Sequence, residues 1–259
     1  MATIIHPTAY VHPKAQVGDD CDIGPFAFVG EHARLGKGNK LLHHACVEGH
    51  TTMGDLNEIG SFSVIGSKPQ DLKYKGEPTR VEIGHRNQFR ECVTVNTGTV
   101  TGGELTKVGD DCLIMAYCHV AHDCIIGDHV IMANYTGLSG HVRIEDWVIL
   151  SGMCGISQFL RVGKHAFVGG MTAIRKDVAP YVILVGDPSE VRGVNRVGLR
   201  RRGFEGERLE AVLEAYKIYF ESGLEKDKAI VELERKFSGQ ADVAYFTDFI
   251  RKSEHGISR

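Results

Sequence analysis

No stretch of this 259-residue sequence approaches the roughly 20 consecutive apolar residues of a membrane span, so stable membrane insertion is not expected. There is no excess of positive charge: 30 basic residues face 33 acidic ones, a net charge of −3, which gives no reason to expect nucleic acid as a partner. Aromatics are scarce, at 8%, and Trp147 is the sole tryptophan. No Cys-x-x-Cys pair occurs among the seven cysteines, so neither a redox motif nor a cysteine zinc cluster is indicated. The start, Met1-Ala-Thr-Ile-Ile-His-Pro, lacks the basic and apolar regions of a signal peptide. These features predict a cytoplasmic chain with reduced thiols. A hydrophobic content of 42% excludes disorder as the main state.

Glycine, by contrast, is abundant, with 31 residues, and the chain is periodic. From Ile5, every sixth residue is apolar through Val11, Val17, Ile23 and onward to Ile65. A short run follows at Ile83, Phe89 and Val95, then a long one from Val108 to Ile174, one residue out of phase. Glycine often follows the apolar residue, as at Gly18, Gly36, Gly109 and Gly127, and a small residue sits four places on, as at Ala9, Cys21 or Ala45. A period of six is not helical. It fits a short strand that points one large and one small residue inward and then turns, with glycine relieving the corner. Three such faces close one coil of 18 residues, and about nine coils at ~4.8 Å spacing make a prism roughly 40 Å long. The expected fold is mainly β: a parallel β-helix of hexapeptide repeats, left-handed by analogy with the known class, over residues 1–187.

Two segments interrupt the repeat. Ser67 to Arg80 replaces two hexads with a polar loop, and Thr97 to Lys107 shifts the phase by one. A solenoid accepts insertions only as outward loops, which often carry function. Beyond Asp187 the period stops. Leu209, Leu213, Tyr216 and Phe220, then Ala229, Leu233 and Phe237, recur at helical spacing, and Phe246 and Ile250 suggest a last helix. Residues 188–259 therefore read as a C-terminal α-helical domain that caps one end of the prism.

Cys21, Cys112, Cys118, Cys124 and Cys154 all fall at the small inward position and read as core. Most of the 13 histidines, including His129 and His165, read as outward groups with no shared geometry. The segment from His119 to Cys124 differs. His122, Gly140 and Gln158 each stand third in their hexads and 18 residues apart, which predicts one column, with His141 and Ser157 at its edges. Spacing leaves an exposed polar ladder and a functional site equally open. It also leaves open a zinc site in which His119, His122 and His141 supply three imidazoles, as in hexapeptide carbonic anhydrases, and a non-catalytic scaffold.

Several segments together carry a resemblance to a known family. They are GSKPQDLKYKGEPTRVEIG at 66–84, LTKVG at 105–109, HVAHDC at 119–124, GH at 140–141, SQF at 157–159, PYVI at 180–183, GLRRRGF at 198–204 and FTDF at 246–249. The chain resembles the acyl-carrier-protein–UDP-N-acetylglucosamine O-acyltransferases, which begin lipid A synthesis, and the resemblance spans nearly its whole length. It implies transfer of a 3-hydroxyacyl group from acyl-carrier protein to the 3-hydroxyl of UDP-N-acetylglucosamine by a homotrimer without metal or other cofactor.

The resemblance also implies roles. His122 matches the general base, Asp123 the carboxylate that orients it, and the Gly140 N–H the oxyanion donor. Neighbouring strand residues point to opposite faces, so the His122–Asp123 pairing requires a local bend. His119, His141 and Gln158, with Gln70, Asp71 and Lys73 of the first loop, match substrate-contacting positions. Asn195, Arg201 and Arg202 match nucleotide-side contacts, and Gly170 matches a position that sets acyl-chain length. Asn96 and Ser157 stand where better-known members have histidine, and Val197 where they have glutamate. An acceptor carrying a 3-amine is the alternative these departures leave.

Overall fold

The computed structural model describes residues 2–259. Short strands, mostly of two residues, stack into three sheets of eleven, nine and eight strands, parallel but for the last strand of the eleven, that form the faces of a left-handed β-helical prism. Along the first face Ile4–Ile5 pairs with Asp22–Ile23, and on the second Tyr10–Val11 with Phe28–Val29, each 18 residues on. The offset widens to 30 residues across the first loop, where Val64 pairs with Thr94, and to 25 across the second, where Thr94 pairs with His119. The loops thus add twelve and seven residues without breaking the stack, and the seventh explains the phase shift.

The second residue of each strand points inward. Ile23, Val29, Ile59, Val120 and Leu150 are fully buried, and the small position four residues on is filled by Ala, Cys, Val, Ser, Thr or Asn. Asn39, Asn57 and Asn87 form a satisfied ladder there: Asn57 Nδ2 donates to Asn39 Oδ1 and Asn87 Nδ2 to Asn57 Oδ1, both at 3.0 Å. The buried thiols at this position donate to backbone carbonyls, as Cys124 Sγ does to Ser139 at 3.1 Å.

The glycine reading is corrected in its detail. The residue in the left-handed conformation is the one three places after the large apolar residue, and it is usually not glycine: Phe26, Phe62, Tyr117, Asp123, His141 and Trp147 all have φ near +60°. The corner cost of about 1–2 kcal/mol per residue is met by the stack on either side, not avoided. The glycine directly after the apolar residue answers a different constraint. A Cβ on Gly109 would lie 2.7 Å from the Gly127 carbonyl oxygen of the next coil, too close for any other residue.

The prism's ends differ. Ile4 and Ile5 in the first coil remain 64% and 47% exposed, so the apolar period there does not mean burial. At the other end Val182–Val185 pairs antiparallel with Glu190–Val194, and the expected division at 187/188 falls inside this hairpin. Helices follow: α1 (Arg196–Arg200), α2 (Gly206–Tyr216), α3 (Lys226–Lys236) and α4 (Ala241–Arg251). α2 runs directly into a π-helical turn at Lys217–Glu221, and Phe237 caps α3 from just outside it. Leu199, Phe204, Leu209, Leu213, Phe246 and Phe249 join the prism core as one apolar cluster. No helix is long and apolar enough to cross a membrane among the described residues.

Candidate active site

Strand His119–Val120 ends at the corner between the second and third faces. Asp123 takes the left-handed corner conformation, φ +60°, and this is the bend that turns its carboxylate back onto its neighbour. His122 Nδ1 lies 2.8 Å from Asp123 Oδ2. The carboxylate is fully buried, and its other bonds come from the second loop: the Thr99 N–H donates to Oδ1 at 2.8 Å and the Thr99 hydroxyl to Oδ2 at 2.6 Å. Thr106 Oγ1 accepts from the Asp123 N–H at 2.8 Å. The loop's close fit requires Gly102, where a Cβ would fall 2.0 Å from Asp123 Cγ. An ionised carboxylate so placed holds the imidazole in the tautomer with Nδ1 protonated and Nε2 free to accept a proton.

The predicted column is present. His141 N–H donates to the His122 carbonyl and Phe159 N–H to that of Gly140, coil over coil. Gly140 packs against the His122 ring: an added Cβ would lie 2.7 Å from His122 Nε2. A cleft of about 540 Å³ opens here, lined by Gln70 of the first loop, His119, His122, Gly140 and Ser157. Its floor on the second face is cleared by small residues, since Gly137, Gly155 and Ala173 follow His119 in register. His141 is on the other side of the wall. Its ring stacks on Phe159 at 4.4 Å, stands edge-on to His122 at 5.1 Å, and faces a cleft of about 770 Å³ on the third face with Arg143, Arg161 and Lys164.

Burial lowers the pKa of both flanking imidazoles. For His119 the neighbouring His122 adds to it; for His141 the Asp123 charge opposes it, as does Asp71 of the first loop more weakly. Both are therefore neutral at pH 7. His119 Nδ1 is engaged with Thr94 Oγ1 at 2.7 Å. The three-imidazole set does not assemble: the ligand-type atoms that come within 4.8 Å of one another belong to His122, Asp123 and His141.

Other expected site residues lie further out. Lys73 is exposed, and its N–H is held by Asp71 Oδ1 at 2.9 Å. Gln158 is exposed beside Ser157 and Phe159. Gly170 is open to solvent at the corner between the first and second faces, above Gly152. Asn195, Arg201 and Arg202 line a separate pocket of about 530 Å³ on the first face, with Trp147, Ile149 and Phe167, which shares no residue with the His122 cleft. Asn195 has structural work there, capping α1 through Gly198 N–H and donating to the His165 carbonyl. Arg202 lies over Trp147 at 4.6 Å.

The expectation that His129 and His165 share no geometry is overturned. His129, Trp147 and His165 are corner residues 18 apart and stack as a ladder, at 3.8 and 6.4 Å. His165 is half-buried, and burial with the Arg202 and Arg208 charges lowers its pKa to about 4. Among the described residues, His165 Nδ1, Arg202 Nε and Asn96 Oδ1 are the buried side-chain polar atoms without a hydrogen-bond partner.

No role was read from the sequence for Thr99, Gly102, Thr106 or Phe159. The first three belong to the segment that shifts the phase, and Thr106 and Phe159 lie within LTKVG at 105–109 and SQF at 157–159.

Residues 105–140 match the family model described as bacterial transferase hexapeptide (six repeats), and residues 177–258 the one described as UDP-N-acetylglucosamine O-acyltransferase, domain 2. The solved structure of LpxA, a UDP-N-acetylglucosamine acyltransferase from Bacteroides fragilis 9343, is 39% identical with a TM-score of 0.96, covering 99% of this chain and 100% of that one. The chain belongs to the UDP-N-acetylglucosamine acyltransferase family. LpxA from Acinetobacter baumannii is 41% identical, with TM-score 0.96 and coverage of 98% and 99%. The Arabidopsis UDP-N-acetylglucosamine acyltransferase is 33% identical, with TM-score 0.85 and coverage of 99% and 100%. Family membership of the whole chain replaces the zinc hydro-lyase and bare-scaffold alternatives.

Proposed function

We propose that the chain transfers a 3-hydroxyacyl group from acyl-carrier protein to the 3-hydroxyl of UDP-N-acetylglucosamine, in the cytoplasm, as the first step of lipid A biosynthesis. The observation that carries the chemistry is the 2.8 Å contact between His122 Nδ1 and the buried Asp123 carboxylate. It leaves Nε2 as the base. His122 takes the proton of the acceptor hydroxyl as its oxygen attacks the thioester carbonyl. The Gly140 N–H donates to the resulting oxyanion. Collapse breaks the C–S bond, and the imidazolium returns its proton to the departing thiolate. Asp123 stabilises the transient imidazolium and does not itself become protonated.

His119, His141, Gln158, Gln70, Asp71 and Lys73 are proposed to position acceptor and donor around this centre, and Gly170 to bound the acyl chain. Asn195, Arg201 and Arg202 are proposed to serve the nucleotide, the guanidiniums suiting its phosphate oxygens. Their pocket lies on a different face from His122, so one chain does not unite the two halves. A homotrimer would bring the first face of one copy against the His122 corner of the next. Leu72, wholly exposed on the first loop, suits such a contact.

The test pairs acyl-carrier proteins of several chain lengths with UDP-N-acetylglucosamine and with its 3-amino analogue, alongside light scattering. Ester product from a trimer supports the reading. Amide product alone transfers it to the 3-amino acceptor, and an active monomer at micromolar concentration removes the shared site.

A further inference from the structure

We infer that His122 Nδ1, Asp123 Oδ2 and His141 Nε2 form a facial binding site for a zinc ion, with water as fourth ligand, and that zinc there switches the centre off. The inhibitory consequence rests on the proposed role of His122; the site itself rests on geometry alone.

The three ligand atoms converge on the wall between the two clefts. Asp123 Oδ2 is 2.8 Å from His122 Nδ1 and 3.8 Å from His141 Nε2, and all three lie within 4.8 Å of one another. In a tetrahedral site with bonds of about 2.0 Å, ligand atoms sit roughly 3.3 Å apart. The carboxylate–imidazole separations therefore need to change by only about half an ångström in opposite senses. The two rings stand perpendicular, at 89°, with their centroids 5.1 Å apart.

The donor chemistry selects the ion. Two imidazoles and one carboxylate suit zinc, whereas calcium and magnesium want more oxygens. The carboxylate is oriented from outside by two Thr99 hydrogen bonds, the kind of support that fixes a metal ligand. Both side chains are reachable, with 15% of His122 and 20% of His141 exposed.

Binding at Nδ1 displaces the proton that Nδ1 shares with Asp123. The neutral ring has a single N–H proton, which moves to Nε2 as zinc takes Nδ1, so the nitrogen facing Gly140 becomes a donor and cannot accept the hydroxyl proton. Zinc and base function are thus mutually exclusive at one imidazole.

The experiment uses the full chain, stripped of metal and titrated with Zn²⁺ against a chromophoric chelator, with Co²⁺ as spectroscopic probe. One Zn²⁺ per chain is expected, with the intense visible bands of tetrahedral Co²⁺. His141→Ala and Asp123→Asn should each weaken Zn²⁺ binding at least tenfold and abolish the bands, and His119→Ala should change neither. His141→Phe, which keeps the stack on Phe159, serves if the alanine variant does not fold. Unchanged binding in the His141 and Asp123 variants overturns the site and places the metal on surface histidines. Equal loss in His119→Ala overturns the donor set. Binding that follows the expected variants without slowing acyl transfer leaves the zinc site standing and overturns His122 as the base.

Discussion

Asp123 follows His122 in the chain and yet faces it: the left-handed corner at Asp123 folds its carboxylate back to 2.8 Å from His122 Nδ1. In most corners of this prism that conformation merely turns the chain. Here the same turn builds a hydrogen-bonded contact between the side chains of sequence neighbours, which an extended strand forbids.

His122→Ala is expected to lower kcat by roughly 10²–10⁴ while leaving the melting temperature near that of the parent, since the ring lies outside the core. Asp123→Asn should lower kcat with little change in KM, because it disturbs the tautomer and not the binding surface. Steady-state kinetics on folded variants decide both. Near-parental turnover of His122→Ala removes the base assignment.

Gly140→Ala is expected to be nearly as damaging despite adding one methyl group. The new Cβ falls 2.5 Å from His122 Cε1, so the ring must move. A displacement of about 1 Å can cost on the order of 10²-fold in rate. A crystal structure of the variant with the His122–Asp123 contact intact and activity retained would contradict this.

His165 makes stability depend on pH. Its pKa falls from 6.5 unfolded to about 4 folded, so the unfolded chain binds the proton more readily. Its contribution is therefore fully present above pH 6.5 and is lost as pH falls toward 4. Thermal melts of the parent and of His165→Gln across this window should converge at the acid end. Parallel curves would show that His165 is not the group responsible.

Gly170→Met is expected to shift donor preference toward shorter chains. The position is open, with the Gly152 carbonyl oxygen 3.3 Å from an added Cβ, so a side chain is accommodated there without breaking the fold. Each methylene excluded from an apolar groove costs about 0.8 kcal/mol, so a four-carbon mismatch reaches ~3 kcal/mol, about a hundredfold. An unchanged ratio between long- and medium-chain donors removes Gly170 from this role.

The architecture was legible because it repeats: a spacing of six from Ile5 to Ile65 and again to Ile174 leaves few alternatives, and residues 18 apart stack by necessity. The column of His122, Gly140 and Gln158 followed from that counting. What counting could not reach was anything that depends on the loops. Thr99 and Thr106 touch Asp123 only because seven added residues fold back over the corner. The His129–Trp147–His165 ladder has the right spacing, but spacing does not reveal that Arg202 lies over its middle rung and Phe204 packs edge-on against its upper one. Nor does the period distinguish Ile5 from Ile23, although one is half exposed and the other fully enclosed.

That inequality between the ends gives the molecule a direction. Each coil rests mainly on its two neighbours, so the solenoid behaves like a zipper. At the helical end the zipper is locked by α2 and α4; at the first coil Ile4 and Ile5 stay open to solvent. Fraying should begin at the first coils and run toward the His122 corner, and amide exchange should slow coil by coil in the same order. The His122 corner lies many coils from Ile4 and Ile5, so loosening at the first coils should leave the His122–Asp123 contact in place.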